Sequence, residues 1–145
     1  MSAEPAAAVH RAVVLPVSRG RAWDAVTDPD QLASWLADEV ELDPRAGGAA
    51  AFRWDDGQAR VGVVEECAER RRLAFRWWDP ADADADESLV ELTLDDVEEG
   101  TRITVVEVRT AALRAGDARL APAGTPSPWA PRIAALTACF ATAWA

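Results

Sequence analysis

Between Ala25 and Gly57 the hydrophobic residues change period, and few folds accommodate that change. Up to Thr27, Ala22, Trp23 and Val26 recur at helical spacing behind Ser18, a residue suited to cap a helix N-terminus. Asp28-Pro29 breaks this helix and starts a second, short one. Asp28 serves there as N-cap, and Pro29 takes the first helical position, where a missing N–H costs nothing. Leu32, Trp35 and Leu36 give the second helix its apolar face. From Glu39 onward the period is two, with Val40 and Leu42 alternating with Glu39, Glu41 and Asp43. Pro44 to Gly48 reads as a turn, with Gly47-Gly48 able to supply positive φ. Ala49 to Trp54 reads as a strand, and Asp55-Asp56-Gly57 as a hairpin signal. A helix pair feeding straight into an antiparallel meander is an α+β arrangement.

The flanks extend this pattern. Val9 to Val17 is β-branched with Pro16 near its end, which suits a first strand at a sheet edge. Further strands are expected at Arg60 to Cys67, Leu73 to Trp78, Leu89 to Val97 and Thr101 to Val108, about seven in all. In the third of these, Val90, Leu92 and Leu94 alternate with Glu91, Thr93 and Asp95. Residues 1–8 read as a flexible N-terminus, Asp79 to Glu87 as an acidic loop, and 110–126, rich in Ala, Gly and Pro, as an irregular connection. Ser127 is placed to cap a last helix from Pro128 to about Ala143, where Trp129, Ile133, Leu136, Phe140 and Trp144 form one apolar stripe. The chain reads as one domain, 1–145. Its sheet can bury one face only if the long helix lies across it, enclosing a space whose size depends on the side chains that fill it.

Composition excludes several function classes. The net charge of -10 opposes a phosphate backbone or an anionic membrane surface, so neither nucleic acid nor a membrane is an expected partner. All 15 basic residues are Arg, which excludes a Schiff-base or P-loop lysine. His10 is the one histidine, so no catalytic triad or multi-histidine metal site can be built, and no metal or cofactor is expected. Asp82, Asp84 and Asp86 mimic the start of a calcium loop, but Glu87 and Thr93 occupy the positions where Gly and Glu are needed. Cys67 and Cys139 make no disulfide framework and read as small buried packing residues. With no signal peptide and no apolar run of about 20 residues, the expected location is the cytoplasm.

A known family matches at this point. Val26-Thr27-Asp28-Pro29, Leu32, Trp35, Asp43-Pro44-Arg45, Gly47-Gly48 and Phe52 carry the first half of the resemblance. Gly62-x-Val64-x-Glu66, Arg71-Arg72-Leu73-x-Phe75-x-Trp77 and Gly100-Thr101-Arg102-Ile103-Thr104-Val105 carry the second. In these residues the chain resembles the START-like, or SRPBCC, superfamily, in the branch named for the activator of the heat-shock-protein-90 ATPase. The resemblance covers about Val9 to Val108 and implies a helix-grip fold with a hydrophobic pocket between sheet and last helix. The chain departs from the family pattern in two places. Trp35-Leu36 stands where a Trp-Trp pair is usual, and Arg109-Thr110 where a glycine and an aromatic residue commonly follow the last strand.

Three functions are open. The first is a small cytosolic module binding a hydrophobic or aromatic small molecule between sheet and helix. Candidate lining residues are Trp35, Trp54, Phe75, Trp77, Glu107, Trp129, Ile133, Leu136 and Phe140, and the tryptophans serve equally well as core fillers. The second is an enzyme of the cyclase, aromatase or dehydratase kind, in which Glu107 or Glu66 moves a proton. Glu107 shares strand parity with Ile103 and Val105, so it points into the cavity if that face is the inward one; the alternative is a strand-end glutamate that reaches solvent or pairs with Arg76, Arg102 or Arg109. Arg53 and Arg76 are expected to face outward. The third is a co-chaperone-like or regulatory interaction domain, which the lack of the family's extra N-terminal region makes the weaker reading. The balance falls on binding rather than catalysis, and the edge strand leaves a homodimer open.

Overall fold

The computed structural model describes residues 8–82, 87–111 and 128–141. The elements run β1 (Ala8–Leu15), α1 (Arg19–Thr27), α2 (Pro29–Leu32), β2 (Glu39–Leu42), β3 (Ala49–Arg53), β4 (Ala59–Ala68), β5 (Arg72–Trp78), β6 (Ser88–Val97), β7 (Gly100–Arg109) and α3 (Trp129–Ala141). Seven strands form one antiparallel sheet in the order β1-β7-β6-β5-β4-β3-β2. The meander from β2 to β7 therefore pairs neighbour with neighbour, and β1 closes on β7 as an edge strand.

Local chemistry accounts for the boundaries. The Ser18 side chain accepts from the Arg21 N–H at 3.3 Å, and Asp28 Oδ1 accepts from the Asp30 N–H at 2.9 Å, so these two of the three expected caps are in place. The second helix is shorter than its apolar residues suggest. It ends at Leu32, and Trp35 and Leu36 lie in the following turn, where the N–H groups of both bond back to the Leu32 carbonyl. β1 stops at Leu15, ahead of Pro16. At the β2–β3 connection Gly47 has φ +84°, and its N–H and the Gly48 carbonyl clip Val64 of β4 from both sides at 2.8 Å. The 110–126 connection, the Ser127 cap, Trp144, and Asp84 and Asp86 of the acidic loop lie in whole or in large part outside the described residues.

One face of the sheet is apolar and covered by the helices. Phe52, Val64, Leu73, Phe75, Trp77, Val90, Leu92, Leu94, Ile103 and Val105 are buried there together with Trp129, Leu136 and Phe140 of α3. Trp23 and Val26 of α1 and Leu32 and Trp35 complete this core. The other face carries ion pairs: Arg72 with Glu66 at 2.6 Å and Glu91 at 2.7 Å, and Arg76 with Glu87 at 3.2 Å and with Glu65. Arg53 and Arg76 both face outward as their alternation with Phe52 and Phe75 requires. A bulge between Val64 and Glu66 turns Glu65 and Glu66 toward these arginines.

Of the two cysteines, Cys139 differs from expectation, while Cys67 packs partly buried against the core. Cys139 is exposed, because it follows the polar side of α3 rather than the Leu136–Phe140 stripe. Cys67 is half-buried near the end of β4, and burial, with help from the Glu69 charge, raises its thiol pKa. Phe140 is 5% exposed and joins the helix to the core. Phe140→Ala should lower the free energy of urea unfolding by about 3–5 kcal/mol, and a loss under about 1 kcal/mol would place Phe140 outside the core.

Candidate functional site

At one end of the covered face, the start of α3 meets β4, β5 and β7. The β4–β5 register sets Trp77 opposite Gly62. Gly62 leaves no room for a larger residue, since a Cβ there would strike the Arg76 carbonyl oxygen and lie 3.2 Å from the Trp77 Cβ. On the other side Trp77 faces the small side chain of Ser88 on β6, while Glu107 of β7 faces Val90 one row away. Trp77 donates its indole N–H to Glu107 Oε2 at 2.7 Å. Trp129, in the first turn of α3, donates its own to Glu107 Oε1 at 2.8 Å.

Glu107 therefore points inward as its parity demands, but its partners are two indoles rather than Arg76, Arg102 or Arg109. Each oxygen accepts a charge-assisted hydrogen bond, one from the sheet and one from the helix. The two rings stack with centroids 6.1 Å apart at 25°. Trp77 also meets Phe52, Phe75 and Trp54 edge-on at 5.2, 5.4 and 6.2 Å.

Arg132 completes the cluster. One turn beyond Trp129, its guanidinium carbon lies 4.9 Å from the Trp129 ring centre, 5.3 Å from that of Trp54 and 5.5 Å from that of Trp77. Arg60 of β4, opposite the buried Phe52, lies 5.0 Å from the Trp77 ring. Burial lowers the Arg132 pKa; the Glu107 carboxylate opposes the shift and the Arg60 charge adds to it. Arg132 stays charged nonetheless.

An open depression of about 380 Å³ lies directly outside this cluster. Its walls are the 33–38 link, Trp54, Gln58 and the first turn of α3 with Pro131 and Arg132. Two tryptophans of this wall are fixed by backbone carbonyls. Trp35 donates to the Ala25 carbonyl at 2.8 Å, and Trp54 to the Leu36 carbonyl at 3.1 Å. Trp35 is buried and Trp54 half-buried, so Trp54 offers the more accessible ring.

Of the expected lining residues, Trp35 and Trp54 border the depression. Phe75, Trp77, Trp129, Leu136 and Phe140 are packed in the core beneath it, and Ile133 is half-buried against that core. Glu66 stands apart from all of them, exposed on the opposite face and paired with Arg72.

Arg132 and Arg60 were not singled out from the sequence. A signal existed for each. Arg132 sits beside the Trp129–Ile133 stripe at the i+3 position from Trp129, and the Asp55-Asp56-Gly57 hairpin sets Arg60 opposite Phe52 on the inward face.

A family model described as activator of Hsp90 ATPase homolog 1-like protein matches residues 16–138. The chain belongs to this family. Its sheet and covering helix are those of the helix-grip fold of the START-like superfamily, shared with several solved structures. DynU16, a protein in the dynemicin biosynthetic locus, is 24% identical with a TM-score of 0.75; the match covers 96% of this chain and 49% of that one. The chain thus spans about half the length of DynU16. CalU16 from Micromonospora echinospora is 20% identical with a TM-score of 0.61, over 93% of this chain and 75% of that one. The Aha1 dimer from Colwellia psychrerythraea is 14% identical with a TM-score of 0.70, over 92% and 95%. No curated protein matches the chain. Family membership supports a ligand-binding or polyketide-cyclase-like module in general terms. No helix among the described residues is long and apolar enough to cross a membrane.

The double acceptor at Glu107 yields a direct test. Glu107→Gln keeps the shape but replaces one acceptor oxygen with an NH2 group that confronts an indole N–H. It should cost about 1–3 kcal/mol in urea unfolding. A change under about 0.5 kcal/mol would mean that the two indole bonds contribute nothing net to stability.

Proposed function

We propose that this family member is a small-molecule binding module whose ligand is hydrophobic or aromatic and sits at the end of the sheet beneath the first turn of α3. The observation that carries the reading is the open depression bordered by Trp35, Trp54 and Arg132, with Trp77 and Trp129 packed behind it. A concave site with tryptophans in its wall and the charged groups of Arg132, Asp38 and Asp56 to fix orientation has the composition of a ligand pocket. The ligand binds at the mouth of the sheet–helix space, since buried aromatic rings occupy the ground below. Membership of the family, and fold similarity to DynU16, a protein in a biosynthetic locus, add support to an aromatic product or intermediate as the ligand class. A cytoplasmic setting belongs to the same reading, as does a homodimer paired through β1, for which the dimeric neighbour is weak support.

A cyclase-like activity is the second reading, and Glu107 is the residue on which it turns. Glu107 has no arginine in ion-pair contact among the described residues, which favours a chemical role. Both of its oxygens, however, are held by indole N–H groups, which do not give up protons at ordinary pH and leave the carboxylate poorly placed to exchange one with a ligand. A binding role needs no such exchange. A chaperone-docking role finds little apolar surface, since Val14 is the one exposed large hydrophobic residue among the described residues.

Titration of aromatic metabolites and polyketides against tryptophan fluorescence tests the proposal. A ligand of the pocket should quench the emission with a Kd below about 100 µM, and Trp54→Phe should remove most of the quenching. Binders that quench Trp54→Phe as fully as the parent chain, or no binder below that limit, would contradict it.

A further inference from the structure

Arg132, in the wall of the depression, and Arg60 of β4 hold two positive charges near one aromatic ring, Trp77. A guanidinium carries five N–H donors and no acceptor. Among the described residues neither arginine has an ion pair or a side-chain hydrogen bond; their contacts are the faces of Trp54, Trp77 and Trp129, together with the electrostatic influence of Glu107. Ring faces stabilise the charge but leave in-plane N–H donors unfilled. Glu107, whose charge acts on Arg132, spends both oxygens on indoles. No nitrogen of either arginine is among the buried atoms that lack a partner, so water reaches these donors and a ligand acceptor can take its place.

We propose that the pocket recognises a planar aromatic acid, with its carboxylate or phenolate oxygen on Arg132, supported by the Arg60 charge, and its ring against Trp54. This rests on the binding-module reading above and names the ligand class for that same pocket. The carboxylate matches the planar guanidinium fork, which a lysine ammonium would not orient. Asp38 and Asp56 also border the depression, but both are exposed at its rim, where each accepts from a backbone N–H of the β3–β4 connection: Asp38 from Asp55 at 2.7 Å and Asp56 from Gln58 at 2.9 Å. They repel an anion left at the mouth and so favour the pose in which the acid group lies inward. The overall charge of -10 opposes approach from afar, but salt screens that repulsion beyond about 8 Å at physiological ionic strength.

The test compares 2-naphthoate with its neutral isostere 2-naphthamide by isothermal titration calorimetry. In the parent chain, 2-naphthoate should bind about tenfold tighter or better, as expected for a charge-assisted pair. Arg132→Met keeps an apolar stem among the indoles and should abolish the difference. Arg60→Met, an independent variant with its fold checked by circular dichroism, should reduce it. Equal affinity for the two compounds in the parent chain, or an undiminished preference in both folded variants, overturns the acid-recognition proposal while leaving the binding module standing. Failure of both compounds to bind the parent chain also overturns the acid-recognition proposal, and the binding module then stands or falls by the fluorescence titrations.

Discussion

Glu107 ties the two layers of the molecule together. The helix-grip arrangement requires α3 to stay across the sheet, and apolar packing along Trp129, Leu136 and Phe140 supplies the area for it. Packing alone does not fix how far the helix slides along its axis. The pair of hydrogen bonds from Trp77 and Trp129 to one carboxylate does, because both donors are rigid rings and both acceptor atoms belong to one strand position. A buried charge without partners would be expensive, so the acid and the two indoles form a set in which the loss of any member leaves the others unsatisfied. The placement of Arg132 follows from the same anchor, since it lies three residues beyond Trp129 on the same helix.

From this anchor comes the division between core and pocket. Trp77 takes up space that a larger cavity would need, and it can do so because Gly62 on one side and Ser88 on the other are small. The rings of Phe52, Phe75, Trp77 and Trp129 then pack as one group, and the remaining open volume lies at the rim beside Trp54. In such a fold the ligand site is set by where aromatic filling stops. Here it stops at an arginine held among three indoles.

The fold was legible because its signals are backbone signals. Asp28-Pro29, Gly47-Gly48 and the alternation of Val90, Leu92 and Leu94 dictate geometry whatever the rest of the chain does, and caps, turns and strands fall within a residue or two of their expected places. Parity also placed Glu107 on the inward face. Its partners were not legible, because they depend on the register of β5 against β6 and on the position of α3, both of which are tertiary facts. Arg132 was missed for a related reason: an arginine beside an apolar stripe reads as a solvated flank until the facing tryptophans are known. Cys139 was misplaced because alanine-rich turns of α3 blur which side of the helix is apolar. The outward turn of Glu66 was not legible either, because a bulge breaks the alternation of β4 just ahead of it.

One carboxylate, that of Glu107, holds the indole N–H groups of both Trp77 and Trp129. The most direct measurement is the hydrogen exchange of the indole N–H signals by nuclear magnetic resonance, in the parent chain and in Glu107→Gln. The expected result is two indole protons, assigned to Trp77 and Trp129, that exchange slowly in the parent chain and are both shifted and exposed to faster exchange by the substitution. The Trp35 signal, bonded to the Ala25 carbonyl, should stay unchanged. Rapid exchange of either proton in the parent chain, or a response of only one of them to the substitution, would contradict the shared anchor.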